Sequence, residues 1–369
     1  GAWLELWHQV RGELVDLYNG QKDIKSRVLR TVRNPEERFE EDALRLMRAI
    51  RLVAELNFAL DSETAAAIQK KASNLGHVSR ERVRDELTRI LESSQPMMAL
   101  VLAQQLGLLD YIVPDLLRGI GVDQNQAHSY TVFEHNLRSM QHAADKGWPF
   151  DIRLAALFHD IAKPETRRWS KEKRDWTFHG HEVVGGRVAE KALTDLRFSR
   201  ETIDKVVKLV RWHMFFSDPE QITLSAVRRT IRNVGKENIV DLLNLRICDR
   251  IGTGRPKEQP FRFRKYKAMV DEALRDPVSV GMLKTDGSRI MEKFHVKPGP
   301  VIGHILNALL EEVIEDPGRN TEQYLDIRTK ELLELPEADL HRLGDAGKKA
   351  KEVKEEEEIQ EILRKHRVE

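Results

Sequence analysis

Six side chains between residues 135 and 249 have the types and spacing to hold a divalent cation: His135, the dipeptide His159-Asp160, His181, His213 and Asp249. Each falls in or beside a different helix-like segment, and several helices of a bundle can aim such groups at one interior point. Imidazole with carboxylate makes a mixed N/O donor set suited to Mn, Ni, Co, Fe, Zn or Mg, and poorly suited to metals that prefer thiolate. A cation held this way lowers the pKa of a water and polarises a phosphoryl oxygen, which is the chemistry of phosphoester hydrolysis. Asp160 would carry the reaction with Lys163, one helical turn beyond His159 and placed to meet a phosphate oxygen as a point charge. Plainer alternatives exist: His213, in "VRWHMFF", as a hydrogen-bonded core histidine, and Asp249 as the partner of Arg246 or Arg250. "FHGHEVVGG" offers both His179 and His181. Gly185 and Gly186 permit a close helix crossing just after His181, which favours His181; His128, His142 and His179 are expected on the surface.

A second cluster lies in "RFEEDALRLMRAIRLVAEL". On one continuous helix, Asp42 and Arg45 share a face, with Arg48 adjoining. A fixed carboxylate beside a fixed guanidinium presents acceptors and donors to a base edge, while Arg48 or Arg51 meets phosphate. The alternative is a surface salt bridge from Asp42 or Glu41 to Arg45, contributing under about 1 kcal/mol. Basic side chains that would position a nucleic acid by its phosphates are Arg80, Arg82 and Arg84, then Arg228, Arg229 and Arg232, then Arg262, Arg264, Lys265 and Lys267. "FRFRKYK" interleaves aromatics with these cations; for any single one, a solvated helix face is the competing reading. "KPGP", residues 297–300, is a rigid turn before a helix whose N-terminus suits a phosphate.

The elements that must position these groups are mostly helical. Two β-prone runs, "ELVDLY" and "VLRTV", flank the turn-like "NGQKD" and predict one hairpin. After Pro35 the apolar period is helical, with Leu46, Met47, Ile50, Val53 and Ala54 on one stripe and Ala43 opening it. Asp61 and Ser79 read as N-caps. Further helices are expected at about 131–145, 151–163, 180–195, 200–214, 222–233, 236–250 and 262–275, an array with no βαβ alternation. The charge-dense tail from residue 345 reads as a solvated helix or frayed end. The 369 residues suffice for two or three domains, and the formal net charge of +1 confines any nucleic-acid surface to a local patch. Cys248 is the only cysteine, which excludes an intrachain disulfide and fits a reducing cytoplasm. No apolar run approaches the roughly 20 residues of a membrane span, so a cytoplasmic location with no membrane partner is expected.

From about residue 128 to 255 the order H…HD…H…H…D resembles the HD superfamily of metal-dependent phosphohydrolases. The resemblance puts His135, His159, Asp160 and Asp249 on the core ligands, and His181 and His213 on the positions that complete a second metal. From about 12 to 325 the chain resembles the bacterial class II tRNA nucleotidyltransferases and poly(A) polymerases. There the ED-x-x-R motif, here Glu41-Asp42-Ala43-Leu44-Arg45, recognises ATP or CTP, with Arg48 as a further nucleotide-binding candidate. Glu81-Arg82 and Glu86 match the element that braces the neck, and "KPGPVIG" at 297–303 follows in family order.

The resemblance implies a mainly α fold: a helical neck, body and tail array with an inserted all-helical HD domain and a short β remnant of an α/β nucleotidyltransferase head. The divisions it implies are 1–33 for the head remnant, 34–125 for the neck and body, 126–255 for the HD domain, 256–330 for an RNA-binding tail and 331–369 for a charged segment. The implied partners are tRNA or other RNA 3′ ends and nucleotides, with Mg as ATP or CTP cofactor. Implied HD substrates are 2′,3′-cyclic phosphates, 2′-nucleotides or RNA ends. The family's paired head carboxylates have no counterpart in residues 1–30, so nucleotide addition is expected only with a head that lies upstream or on another polypeptide. A subunit of a split nucleotidyltransferase and a non-catalytic RNA-binding module remain the competing readings.

Overall fold

The computed structural model describes residues 9–10, 13–14, 16–125, 129–215, 222–276, 279–336, 339–340 and 343. His128 and the charged tail from residue 345 lie outside them. The chain forms two compact units: Gly1–Arg211 with Asn244–Glu258, and Trp212–Leu243 with Gln259–Glu369. The mainly α architecture expected from the sequence is borne out.

The first unit opens on β1 (Gln9–Val10) and β2 (Glu13–Leu14), which pair antiparallel. The hairpin expected between residues 13–18 and 28–32 does not form. Asp16 accepts the amides of Gly20 and Gln21 at 2.7 and 2.9 Å, and its carboxylate starts α1 (Gly20–Ser26) where a turn was read. β3 (Val28–Leu29) instead pairs parallel with β4 (Ala59–Leu60), so one short parallel crossover exists after all. Its connection contains α2 (Pro35–Glu41) and α3 (Leu44–Leu56).

The single helix expected through Asp42 is two helices. Asp42 is extended (φ −153°, ψ 103°) and accepts the Leu44 amide at 3.1 Å, a side-chain bond that competes with helical continuation. The buried stripe on α3 is Leu46, Met47, Ile50, Val53 and Ala54 as the period predicts, with Leu44 in place of Ala43. α4 (Ser62–Lys71) starts under an Asp61 cap to the Thr64 amide. α5 (Arg80–Glu92) follows Ser79, whose side chain makes no cap bond.

Glu86 on α5 is buried and receives Nε–H of Arg48 (3.2 Å) and Arg51 (2.8 Å) from α3. Removing that carboxylate leaves two guanidinium groups without their shared acceptor, one of them half in solvent. Glu86→Ala is expected to destabilise the chain by about 2–3 kcal/mol, read from the urea midpoint.

α6 (Pro96–Gln105) and α7 (Leu109–Ile112) lead to α8 (Val132–Asp145) and α9 (Phe150–Phe158). Nine residues are too few for a stable isolated helix. α9 is held by burying Ile152 and the whole run from Leu154 to Phe158 against α8. α10 (Lys163–Thr166) enters a hairpin of β5 (Arg168–Ser170) and β6 (Asp175–Thr177), which the sequence reading missed by expecting an all-helical domain. α11 (His181–Asp195) and α12 (Arg200–Trp212) follow.

The second unit contains α13 (Leu224–Val234), and the chain passes back to the first within α14 (Ile239–Gly252). α15 (Phe261–Ala273), α16 (Gly287–Phe294), α17 (Pro300–Glu315) and α18 (Glu322–Leu333) complete the second unit. Its core is built on Ile290, Ile305, Leu309, Val313, Leu325 and Leu332. Pro300, in the "KPGP" stretch, occupies the first turn of α17, where its missing amide costs nothing.

Candidate metal centre

Four helices of the first unit bring their ends or faces to one buried point. α8 carries His135, and its start is fixed by a reciprocal capping box between Thr131 and Glu134. α9 stops at Phe158, and His159 and Asp160 follow at its C-terminal end. Pro164 has no amide to return to the Asp160 carbonyl four residues back. The Lys163 amide takes that carbonyl at 3.0 Å instead, closing a turn that presents both side chains. The sequence predicts Lys163 one turn along the same helix as His159; instead α9 ends before His159 and Lys163 begins α10. Gly180 adopts the left-handed conformation (φ 81°) that starts α11 at His181. Asp249 lies on α14, and Gly252 one turn on lets that helix approach α8 closely.

The geometry is tight. His135 Nε2 lies 2.9 Å from His159 Nε2, 3.0 Å from Asp160 Oδ2 and 3.4 Å from Asp249 Oδ1. His159 Nε2 is 3.3 Å from Asp160 Oδ2 and 3.8 Å from Asp249 Oδ1. The other Asp160 oxygen faces His181 Nε2 at 3.2 Å. His159 Nδ1 donates to the Ala156 carbonyl at 2.8 Å, and His181 Nδ1 to that of Phe178 at 2.6 Å. Both bonds orient the rings so that Nε2 faces the carboxylates, the arrangement a histidine ligand requires.

Charge follows from this packing. Burial opposes a positive His159, yet the Asp160 and Asp249 carboxylates override it and push the imidazole up to about 9. Burial likewise works against both carboxylates, but His159 and Lys163 hold Asp160, and Arg246 with the two histidines holds Asp249, well below the usual range. Two carboxylates and two imidazoles, each with one ligand atom, lie within 4.8 Å of one another, all buried. That donor set fits a divalent cation.

The alternatives weighed from sequence are partly realised together. Asp249 does pair with Arg246, through Oδ2, while Oδ1 faces the histidines. Lys163 is buried, 2.5 Å from Asp160 Oδ2 and donating to Gln124 Oε1 at 2.7 Å. His179 is exposed. His142 is not on the surface as expected: it packs edge-on to Trp148 and is mostly buried. His213 is buried in the second unit, directly after α12. Gly185 does sit close to α9, but a Cβ there would meet Val210 and the His159 carbonyl at 3.5 and 3.6 Å, ordinary contact. Cys248 is a fully buried core residue whose thiol is pushed up by burial.

The nucleotide-recognition candidates separate. Asp42 is held by Arg82 (3.0 Å), with Arg48 at 4.0 Å, whereas Arg45 binds Glu41 (2.6 Å) and the Arg38 carbonyl (3.0 Å). Asp42 and Arg45 do not share a helix face, because the chain breaks between them. Burial would raise the Asp42 pKa, and the Leu44 amide and Arg82 outweigh it, so it stays below the ordinary value. Arg45 and Arg48 line a cavity of about 450 Å³ together with Arg30, Thr31, Arg33 and Arg38.

The basic candidates divide in the same way. Arg228 is buried, bonded to Asp276 (2.9 Å) and to the Ile314 carbonyl near the end of α17 (2.9 Å), so it braces the second unit and offers no surface to RNA. Arg80 binds the carbonyls of Tyr111 and Ile112, and Arg84 that of Arg197. Arg229 and Arg232 pair with Glu315 and Glu311. Arg264 and Lys265 are exposed on α15, as are Arg262 and Lys267. Phe263 and Tyr266 face the core, and of the "FRFRKYK" aromatics only Phe261 is exposed beside the cations.

A helical domain in which His from α8, His-Asp from the end of α9 and Asp from α14 converge is of the HD class, and a family model described as "HD domain" matches residues 132–252. Residues 57–119 match a model described as "Probable RNA and SrmB- binding site of polymerase A". The CC-adding tRNA nucleotidyltransferase of Thermus thermophilus is 34% identical over 82% of this chain and 69% of its own length. The A-adding tRNA nucleotidyltransferase of Deinococcus radiodurans is 33% identical over 81% of this chain and 70% of its own. The chain belongs to the class II tRNA nucleotidyltransferase family. The crystal structure of the Bacillus stearothermophilus CCA-adding enzyme in complex with CTP shares the fold, with a TM-score of 0.55 at 22% identity over 86% of this chain and 69% of that one. No helix among the described residues is long and apolar enough to cross a membrane.

Proposed function

We propose that this chain holds tRNA or another RNA 3′ end together with a nucleotide, and that its HD domain is a metal-dependent phosphohydrolase. The observation that carries the second part is the convergence of His135, His159, Asp160 and Asp249 within 4.8 Å. These four residues would hold the essential cation, which when bound supplies Lewis acidity toward a phosphoryl oxygen and lowers the pKa of a water. His181, beside Asp160, belongs to a second metal position in this reading, and the resemblance adds His213 to it. Lys163 neutralises Asp160 and stands as the cation nearest an entering phosphate. The substrate class is 2′,3′-cyclic phosphates, 2′-nucleotides or RNA ends. After loading with Mn²⁺, Ni²⁺, Co²⁺ or Mg²⁺, the chain is expected to hydrolyse 2′,3′-cyclic AMP; no turnover with any of these ions overturns the hydrolase.

For the nucleotide, the arginine-lined cavity at the start of α2 and α3 supports a site where Arg45 and Arg48 meet ATP or CTP phosphates with Mg²⁺, next to Asp42. Addition itself belongs to these residues acting with a head domain that supplies paired carboxylates. For RNA, exposed Arg264 and Lys265 are the contacts this reading retains, with Arg82 and Arg229 available only if their ion pairs open. Arg264→Ala with Lys265→Ala is expected to weaken tRNA binding and lower the slope of log K against log salt by about 2. An unchanged slope removes α15 from the interface.

A further inference from the structure

The hairpin of β5 and β6 supplies no residue to the metal centre, and its composition is unusual. From Arg167 to Trp176 it carries Arg167, Arg168, Lys171, Lys173 and Arg174 against only Glu172 and Asp175. Lys171, Lys173 and Arg174 stand exposed on its turn. Trp169 and Trp176 are direct cross-strand partners, their rings edge to face at 5.2 Å. The Arg167 guanidinium lies 3.8 Å over the Trp176 ring. Trp169 completes this ladder and is 55% exposed.

A two-stranded hairpin is marginal by itself in water, and Trp169 keeps an exposed indole surface on which a further ring can stack. Exposed indole beside a run of cations is the combination that binds single-stranded nucleic acid: bases stack on the ring and phosphates meet the charges. An apolar peptide would be served by the indole but not by the five cations.

The hairpin is also tied at both ends to the metal centre. β5 leaves α10, which begins at Lys163, and β6 leads within four residues to His181. Phe178, between β6 and His181, is buried, takes the His181 Nδ1–H on its carbonyl and has Lys163 Nζ 5.5 Å from its ring. A strand lying along the hairpin is thus led toward the residues that hold the cation.

We infer that the Trp169–Trp176 hairpin is a docking platform for single-stranded RNA, on which a base stacks on Trp169 while Lys171, Lys173 and Arg174 engage its phosphates, so that the 3′ end reaches the HD centre. This rests on the hydrolase reading for its consequence but not for its binding. The test uses the full chain, a labelled RNA hexamer ending in a 2′,3′-cyclic phosphate, and 2′,3′-cyclic AMP as the small substrate. Trp169→Ala is expected to weaken hexamer binding by fluorescence anisotropy about tenfold and to raise the hexamer KM similarly. Lys171→Ala with Lys173→Ala and Arg174→Ala keeps both indoles and is expected to lower the salt slope of binding by about 2. KM and kcat for 2′,3′-cyclic AMP should stay unchanged in both. Hexamer affinity and salt slope equal to wild type in both variants overturn the platform, even if cyclic AMP is hydrolysed. Weakened hexamer binding in a chain that hydrolyses neither substrate keeps the platform and sinks the hydrolase.

Discussion

Asp160→Asn is expected to lose the bound divalent metal and to lower phosphohydrolase turnover at least about 10³-fold, roughly 4 kcal/mol of barrier. One carboxylate serves both halves of the site: Oδ2 faces His135 and His159, and Oδ1 faces His181. The amide keeps the shape and removes the charge, so no other residue can restore the electrostatics that favour a cation over a proton. The loss is of the size a metal contributes to phosphoryl chemistry. Elemental analysis and 2′,3′-cyclic AMP hydrolysis check it, with circular dichroism to show that the fold persists. Wild-type metal content and turnover in this variant would remove Asp160 from the centre.

Gly252→Ala is expected to weaken divalent metal binding about 10–100-fold although it removes no ligand and no charge. A Cβ at this position would collide with Ser139 Oγ and lie 2.9 Å from the His135 carbonyl and 3.0 Å from His135 Nδ1. A close-packed helix pair cannot absorb that without shifting α8, and His135 moves with it. Alanine favours helix by about 1 kcal/mol over glycine, so helix propensity argues in the opposite direction and isolates the steric effect. Gly185→Ala is the control, because its Cβ finds only ordinary contact; its metal affinity should stay within about twofold of wild type. Competition against a fluorescent chelator with Mn²⁺ reads both variants. Equal affinities in the two variants and wild type would mean that the contact of α14 with His135 does not set the ligand geometry.

Much of the helical frame was legible because the apolar period is a local property. The stripe from Leu46 to Ala54 and the helices ending near Asp145, Asp195 and Ala273 lie close to where the pattern put them. What failed was decided by single polar side chains or by tertiary contact. Asp16 turned a loop-like stretch into α1, and Asp42 broke a helix that the period alone would continue. The hairpin at 168–177 has short strands and a turn without glycine, so its only sequence signal was the matched Trp169 and Trp176. Arg228 and Lys265 look alike as residue types, yet one is buried under Asp276 and the other is in water; charge does not say which face a helix buries. Gly252 carried a readable hint, since glycine inside a helix usually marks a close approach. The order H…HD…H…H…D indicated which residues to compare, while their mutual distances belong to packing that no spacing rule supplies.

The most direct test of the central claim is the metal content of the purified full chain, measured by elemental analysis after exhaustive dialysis against metal-free buffer. At least one divalent metal ion per chain is predicted, reduced to background in Asp160→Asn. A wild-type chain that retains none, and takes up none after incubation with Mn²⁺, Ni²⁺, Co²⁺ or Mg²⁺, would contradict it and leave the His and Asp cluster as a purely structural ion network.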